Sequence, residues 1–240
     1  MDKVSIIIPF YNDPYVDIAI QSALDQTYPN CEVIVINDGS TKHADKVKRF
    51  LDRIKYIEKG NGGTATALNM GIKVSTGNYI SWLSSDDKFH PQKIEKQLTF
   101  MKERNAKAMY GPVYFMDGEG NVSAGIRGRV FGSKHEFYRQ MKQGCPINGC
   151  SVLIAKEVFD TLGVFKPEFR FAHDYEMWMR VITRYDFKYL GVPLVYYRVH
   201  QEMGTNKHRA AIVSESERIR KRYRPILDYK IKTTPLNARM

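Results

Sequence analysis

Val4-Ser5-Ile6-Ile7-Ile8, closed by Pro9, is the stretch on which the fold turns. It is continuous, rich in β-branched residues and without a polar face, as suits a strand buried on both sides. The pattern recurs at Val33-Ile34-Val35-Ile36, which ends in Asn37-Asp38-Gly39-Ser40. A short strand is expected at 55–57, stopped by Gly60, and a fourth at Tyr79-Ile80-Ser81-Trp82-Leu83. Segments of helical spacing separate them, marked by Ile18, Ala19 and Ala23, by Val47, Phe50 and Leu51, and by Ala65, Leu68 and Ile72. Pro91 then opens a helix running to about Arg104, since proline is favoured in a first helical turn. Strand and helix in alternation predict βαβ units, hence an α/β fold with a mostly parallel sheet. Ligands of such sheets bind beyond the carboxyl ends of the strands. The residues to question are therefore Tyr11 and Asn12, Asp38, and Asp86 and Asp87.

The second half is less regular. Val113–Met116, the turn Asp117-Gly118-Glu119-Gly120-Asn121 and the run from Val122 predict a hairpin. A strand is expected over 150–155, a helix over 172–184 and a strand over 194–199. Nothing between 105 and 205 has the composition of a linker, so one domain is expected over 1–205, followed by a basic helical tail over 206–240.

The 240 residues are 43% hydrophobic and 26% charged, which excludes a disordered or collagen-like chain. Of the net charge of +11, +7 falls in residues 207–240, which hold ten basic and three acidic residues. A basic tail suits a polyanion or an anionic membrane surface; the plainer alternative is a solvated helix face. On that tail Ile212, Ser216, Ile219, Tyr223, Ile226 and Leu227 fall on one side, as in an interfacial helix or one packed on the domain. Nucleic acid is not an expected partner, for the basic residues lack interleaved aromatics and no reader motif is present. Three cysteines, Cys31, Cys145 and Cys150, make no disulfide framework and suit a reduced, cytoplasmic protein. The N-terminus passes straight into strand-like sequence without a signal peptide, and no apolar run approaches the ~20 residues of a membrane span.

Two adjacent carboxylates in Ser85-Asp86-Asp87 repel unless a positive group relieves them. A hard divalent ion meets that need with one or two protein carboxylates; helix capping before Pro91 is the alternative. Asp38 stands in Asx-Gly turn chemistry, or accepts hydrogen bonds from a base or ribose. Gly60-Asn61-Gly62-Gly63-Thr64 runs into a helix, where backbone can approach a phosphate. It lacks the Gly-Lys-Ser/Thr of a P-loop, and no Gly-x-Gly-x-x-Gly follows the first strand, which argues against a dinucleotide dehydrogenase.

Taken in order, Val4–Asn12, Val35–Ser40, Asn61-x-Gly63-x-x-x-Ala67-x-Asn69-x-Gly71, Gly77-Asn78-Tyr79-Ile80 and Ser85-Asp86-Asp87 resemble the family 2 glycosyltransferases. So do Asn148-Gly149-Cys150-Ser151-Val152, Phe159-x-x-Leu162-Gly163-x-Phe165, Asp174 to Arg180 with Trp178 between, and Tyr197-Arg198-Val199-His200. The resemblance implies a GT-A fold, a Rossmann-like central sheet flanked by helices, with a nucleotide-sugar half over 1–104 and an acceptor half over 105–205. It implies that Pro9, Tyr11 and Asp38 line the base and ribose, and that Asp86 meets the ribose side of the donor. Asn61, Gly63 and Asn69 are further donor-side positions. Asp87 would ligate Mn²⁺ or Mg²⁺, His200 would reach the metal or the diphosphate, and Asp174 would be the general base. Trp178, one turn on, would offer a sugar ring an aromatic floor or belong to the core. The implied activity is metal-assisted, inverting transfer of one sugar from a nucleotide sugar, commonly a UDP-sugar, to a glycan or lipid-linked acceptor. The Gln-x-x-Arg-Trp of processive members is absent. His173 stands where the family has Glu, and Leu68 where it often has Arg. A nucleotidyltransferase and a silent glycan- or nucleotide-binding module are the alternatives. A homodimer and peripheral contact with an anionic membrane stay open.

Overall fold

The computed structural model describes residues 1–236 and 238. The first half runs β1 (Val4–Phe10), α1 (Val16–Leu24), β2 (Cys31–Asn37), β3 (Lys55–Glu58), α2 (Thr64–Val74), β4 (Tyr79–Trp82), β5 (Lys88–Phe89) and α3 (Lys93–Glu103). The second half runs β6 (Ala108–Tyr110), β7 (Val113–Met116), β8 (Val122–Arg127), α4 (Lys134–Gln143), β9 (Leu153–Ala155), α5 (Lys156–Leu162), α6 (His173–Arg184), β10 (Phe187–Tyr189), β11 (Val195–Arg198), α7 (Gly204–Lys207) and α8 (Arg209–Thr233).

Seven strands form the central sheet in the order β10-β6-β9-β4-β1-β2-β3. The pairs β1–β2, β2–β3, β1–β4 and β6–β10 are parallel, while β9 runs antiparallel to both β4 and β6. All seven residues of β1 are buried, as its unbroken apolar run predicts. Its side chains alternate between two cores: Ile7 joins α2, while Ile6 and Ile8 pack with α1 and α3 on the opposite face. β1 runs through Pro9 to Phe10 rather than stopping before it. Phe10 O accepts from Asp38 N on the β2 side, and Ile7 O from Leu83 N on the β4 side. Pro9 therefore turns its missing N–H toward the β4 side, beyond the last β1–β4 pair at Ile7–Trp82.

Two expected elements differ in kind. The segment Ala44–Phe50 is a 3₁₀ helix, entered through His43 at φ 63° and leaving Leu51 exposed. The strand expected over 150–155 begins only at Leu153, because Gly149–Ser151 form a 3₁₀ turn capped by the Asn148 side chain. The expected hairpin and the strand expected over 194–199 do not join the central sheet: with β5 they form a second one, β5-β11-β7-β8, beside the carboxyl end of β4. α8 lies on α4 and α6, burying Ile219, Tyr223 and Leu227 at four-residue intervals. Ile212 and Ser216 are half-buried there, whereas Ile226 faces solvent.

Candidate active site

A cleft of about 1390 Å³ opens over the carboxyl ends of β1, β2 and β4, where a doubly wound sheet places its ligands. Its far wall comes from residues 145–150, 170–174 and 200–212. Pro9, Tyr11, Asp38, Asn61, Gly63, Asp86, Asp87, Asp174 and His200 all line it.

The acidic loop after β4 is held from the second sheet. Asp87 is 1% exposed, and its Oδ1 accepts from Arg198 N at 2.9 Å. Its Oδ2 is buried without a hydrogen-bond partner among the described residues. Arg198 also donates from Nε to Asp86 O at 2.8 Å and from one terminal nitrogen to Asp117 O and Gly118 O at 3.0 Å each. His200 Nε2 lies 3.2 Å from Asp86 Oδ2. Burial, and then the charge of Asp86, push the Asp87 carboxyl well above the usual carboxylate range. The same two causes, in the same order, raise Asp13, which lines the same corner. Among the described residues no three Asp, Glu, His or Cys side chains converge as a metal site; the orphaned oxygen of Asp87 beside Asp86 is what one or two carboxylates would offer a hard divalent cation completed by water or phosphate.

Beyond the end of β2, Asp38 is 3% exposed and its carboxylate is already engaged. It accepts from Gly63 N at 2.7 Å, from Gly62 N at 3.0 Å and from Lys59 Nζ. It therefore fixes the glycine loop as well as facing the cleft. Gly39, at φ 78°, has a structural reason to lack a side chain: a Cβ there would lie 2.9 Å from Asn61 N.

At the opposite end, Asp174 is the second residue of α6, half-buried, with Oδ1 accepting from Tyr175 N at 2.7 Å. Burial raises its carboxyl above the usual range. His173 is buried beside it, its ring 5.5 Å from Trp82 and 5.7 Å from Phe165, and the same burial lowers its pKa.

Two expected positions are not brought to the cleft. Asn69 exchanges two hydrogen bonds with the Phe165 backbone, at 2.8 and 2.9 Å, tying α2 to the approach to α6. Trp178, 2% exposed, packs edge-on against Phe187 at 5.6 Å and Phe165 at 6.2 Å. The correction has a geometric cause: α6 meets the cleft end-on, so its first turn reaches the opening and its second turn is already inside the core. Trp82 is the indole that lines the cleft, and its place at the end of β4 made it legible by the strand-end rule. Asp13, Arg170, Lys207 and His208 also line the cleft. Only Asp13, next to Asn12, carried a signal in the sequence.

The family model described as Glycosyl transferase family 2 matches residues 5–163. An uncharacterized glycosyltransferase of Rickettsia typhi is 36% identical over 221 residues, covering 85% of this chain and 66% of its own. The UDP-Glc:alpha-D-GlcNAc-diphosphoundecaprenol beta-1,3-glucosyltransferase of Escherichia coli is 30% identical over 221 residues, covering 88% of this chain and 84% of its own. The chain spans only 35% of the length of a similar Rickettsia felis glycosyltransferase. Among solved structures, Staphylococcus aureus TarS 1-349 in complex with UDP superposes with a TM-score of 0.68 at 18% identity, over 97% of this chain and 72% of that one. TarS 1-349 in complex with UDP-GlcNAc gives 0.68 at 19% identity, over 84% of this chain and 60% of that one. At that identity the likeness carries the fold, a GT-A arrangement.

Proposed function

This chain belongs to glycosyl transferase family 2, and from that premise we propose that it moves one sugar, with inversion, from a nucleoside diphosphate sugar to a hydroxyl of a lipid-linked or glycan acceptor. The observation that carries the reading is the meeting of carboxylates from distant segments in one cleft. Asp38, Asp86 and Asp174 all line it, the first two on what we take as the donor side and the third on the acceptor side.

Inverting transfer is an in-line displacement. The acceptor oxygen forms a bond to the anomeric carbon, the bond from that carbon to the diphosphate breaks, and the hydroxyl proton must leave. Asp174 takes that proton, as a carboxylate within ~3 Å of the hydroxyl can. Pro9, Tyr11 and Asp38 receive the base and ribose, with Asn61 and Gly63 beside them and Asp86 at the ribose side. Asp87, with His200 near, would hold Mn²⁺ or Mg²⁺, which when bound offsets the charge gathering on the departing diphosphate. Arg170 extends alongside Gly63, its Nε 3.7 Å from where a Cβ would stand.

A UDP-sugar donor is supported by the UDP and UDP-GlcNAc complexes of TarS. A diphosphate-bearing lipid acceptor is supported by the name of the Escherichia coli relative and by the basic side chains of Arg170, Lys207 and His208 on the acceptor-side wall. Cell-envelope polysaccharide assembly is the matching process. Peripheral membrane contact is supported by the outward side of α8, where Arg218, Lys221, Arg222 and Arg224 are exposed together with Ile226 and Tyr229. Among the described residues no helix is long and apolar enough to cross a membrane.

The test is Asp174→Asn. Turnover of a radiolabelled nucleotide sugar should fall ~10³-fold, while donor affinity by calorimetry stays within about two-fold of wild type. Transfer persisting at the wild-type rate would remove Asp174 from the mechanism. A wild type that turns over no nucleotide sugar, yet binds one, would favour a silent binding module.

A further inference from the structure

We propose that α8 is part of the catalytic apparatus, with Glu215 as the positioning residue through which it sets Asp174. The inference rests on the reading above that Asp174 is the base. Glu215 reaches from α8 to the segment that enters α6. Its Oε1 accepts from Arg170 N at 3.0 Å, and its Oε2 from Phe171 N at 2.9 Å and Ala172 N at 2.8 Å. Ala172 is the residue at the N-cap of α6 and has no side chain able to cap. Backbone N–H groups at a helix entry lack partners within the helix. Here a carboxylate from a different helix accepts from the N-cap N–H and from the two peptides before it, the part that the glutamate of a capping box plays for the N-cap, with the charge sign a helix N-terminus favours. Three charge-assisted bonds thus fix three successive peptides immediately before His173 and Asp174.

The hold continues on both sides of Asp174. The His208 ring stacks on Phe171, centroids 4.1 Å apart and planes 21° from parallel. Tyr223, two turns beyond Glu215, donates to Glu176 Oε1 at 2.7 Å. Glu176 is fully buried and is also held by Arg180 Nε at 2.9 Å and Lys166 Nζ at 3.0 Å. Glu215, Ile219, Tyr223 and Leu227 recur every four residues and so share one side of α8. The side that carries the packing carries the clamps. A general base works only within hydrogen-bond reach of the proton it takes, and a displacement of ~1 Å can cost on the order of 100-fold. Glu215 need not touch substrate to govern the rate; it fixes the peptides that aim Asp174.

The experiment compares Glu215→Ala and Glu215→Gln in the full chain, with kcat, donor affinity and Tm measured on each. Alanine should lower kcat on the order of 10–100-fold, with donor affinity within about two-fold of wild type, because Pro9, Asp38 and Asp86 lie on the other half. Glutamine, which keeps one accepting oxygen, should fall between alanine and wild type. Tyr223→Phe, which leaves Glu176 its two cations, should lose kcat by several-fold at unchanged donor affinity. A Glu215→Ala kcat within about two-fold of wild type overturns the inference and leaves the glycosyltransferase reading standing. So does a loss of donor affinity that parallels the loss of kcat and of Tm, which marks Glu215 as merely structural. A wild type without turnover on any nucleotide sugar overturns the reading itself, and this inference with it.

Discussion

Burial raises the Asp174 carboxyl, and the sign of that shift reaches both rate and stability. A protonated carboxyl cannot accept the acceptor's proton, so the acid limb of kcat should lie above the ordinary carboxylate range. The native state also holds this proton more tightly than the unfolded chain does. Stability associated with the protonated form is therefore present below the unfolded pKa and is lost as pH rises through the folded one. Asn at this position, without a charge to bury, is expected to raise Tm at neutral pH while lowering transfer ~10³-fold, and to lose that advantage in mild acid. An equal or lower Tm at neutral pH, in a variant that still binds donor, would show that the carboxylate is well solvated. Asp87 gives the second prediction at this scale. Its Oδ2 has no hydrogen-bond partner among the described residues, and burial and the charge of Asp86 raise both its carboxyl and that of Asp13. Donor affinity of the wild type should fall at least ~10-fold in chelator, since a ligand's apparent affinity includes whatever it needs beside it. Asp87→Ala should bind equally weakly with or without chelator. A wild-type affinity indifferent to chelator would remove the metal role.

Elements meet here through small residues. α2 rests on β1 at Gly71, where a Cβ would lie 2.4 Å from Ile7 Cγ2. Trp82 at the end of β4 has the same relation to Gly149, at 2.3 Å from a ring carbon. Gly71→Ala should therefore destabilise by ~1–3 kcal/mol through overpacking, read as a lower denaturant midpoint at unchanged m. A change under about 0.5 kcal/mol would mean that α2 slides away without cost. The elements that length and period made visible were β1 to β4, α1 to α3, the β7–β8 hairpin, the second half of the strand expected over 150–155 as β9, α6, β11 and the tail helix α8. β5, β6 and β10 hold two or three residues each, too few for any period to show. α4 is amphipathic by its buried His135, Phe137, Tyr138 and Met141, yet its apolar side makes sense only once α8 covers it. Val47, Phe50 and Leu51 predicted helix, but a segment entered through His43 at positive φ and only seven residues long takes the tighter 3₁₀ winding.

For the molecule as a whole, the last helix unites opposite demands. One side of α8 is built into α4 and α6 through Ile219, Tyr223 and Leu227. The other leaves Tyr229 68% exposed among basic side chains. Cutting the chain at Lys207 would strip the first side along with the second, so it cannot isolate membrane binding. Reversing surface charge can: Lys221→Glu with Arg222→Glu and Arg224→Glu should leave Tm near wild type and abolish co-sedimentation with anionic liposomes. Wild type should sediment with anionic and not with neutral liposomes, at ~1 kcal/mol per basic residue near the surface. Sedimentation unaffected by the three substitutions would mean that some other face meets the membrane.

By itself the sequence determined the alternation of strand and helix, the two-sided burial of β1 and the strand ends that carry Tyr11, Asp38, Asp86 and Asp87, because period and turn chemistry are local properties. It also carried the ordered motifs by which the family is known. Only the tertiary structure decided that Trp178 belongs to the core and Trp82 to the cleft, since that depends on the end-on approach of α6. It decided too that Asp38 spends its oxygens on the glycine loop, that Arg198 grips the acidic loop from a second sheet, and that Glu215 holds the peptides leading into α6 from more than forty residues away. Each of these is a contact between segments remote in the chain, and no local pattern records a partner that folding alone brings near.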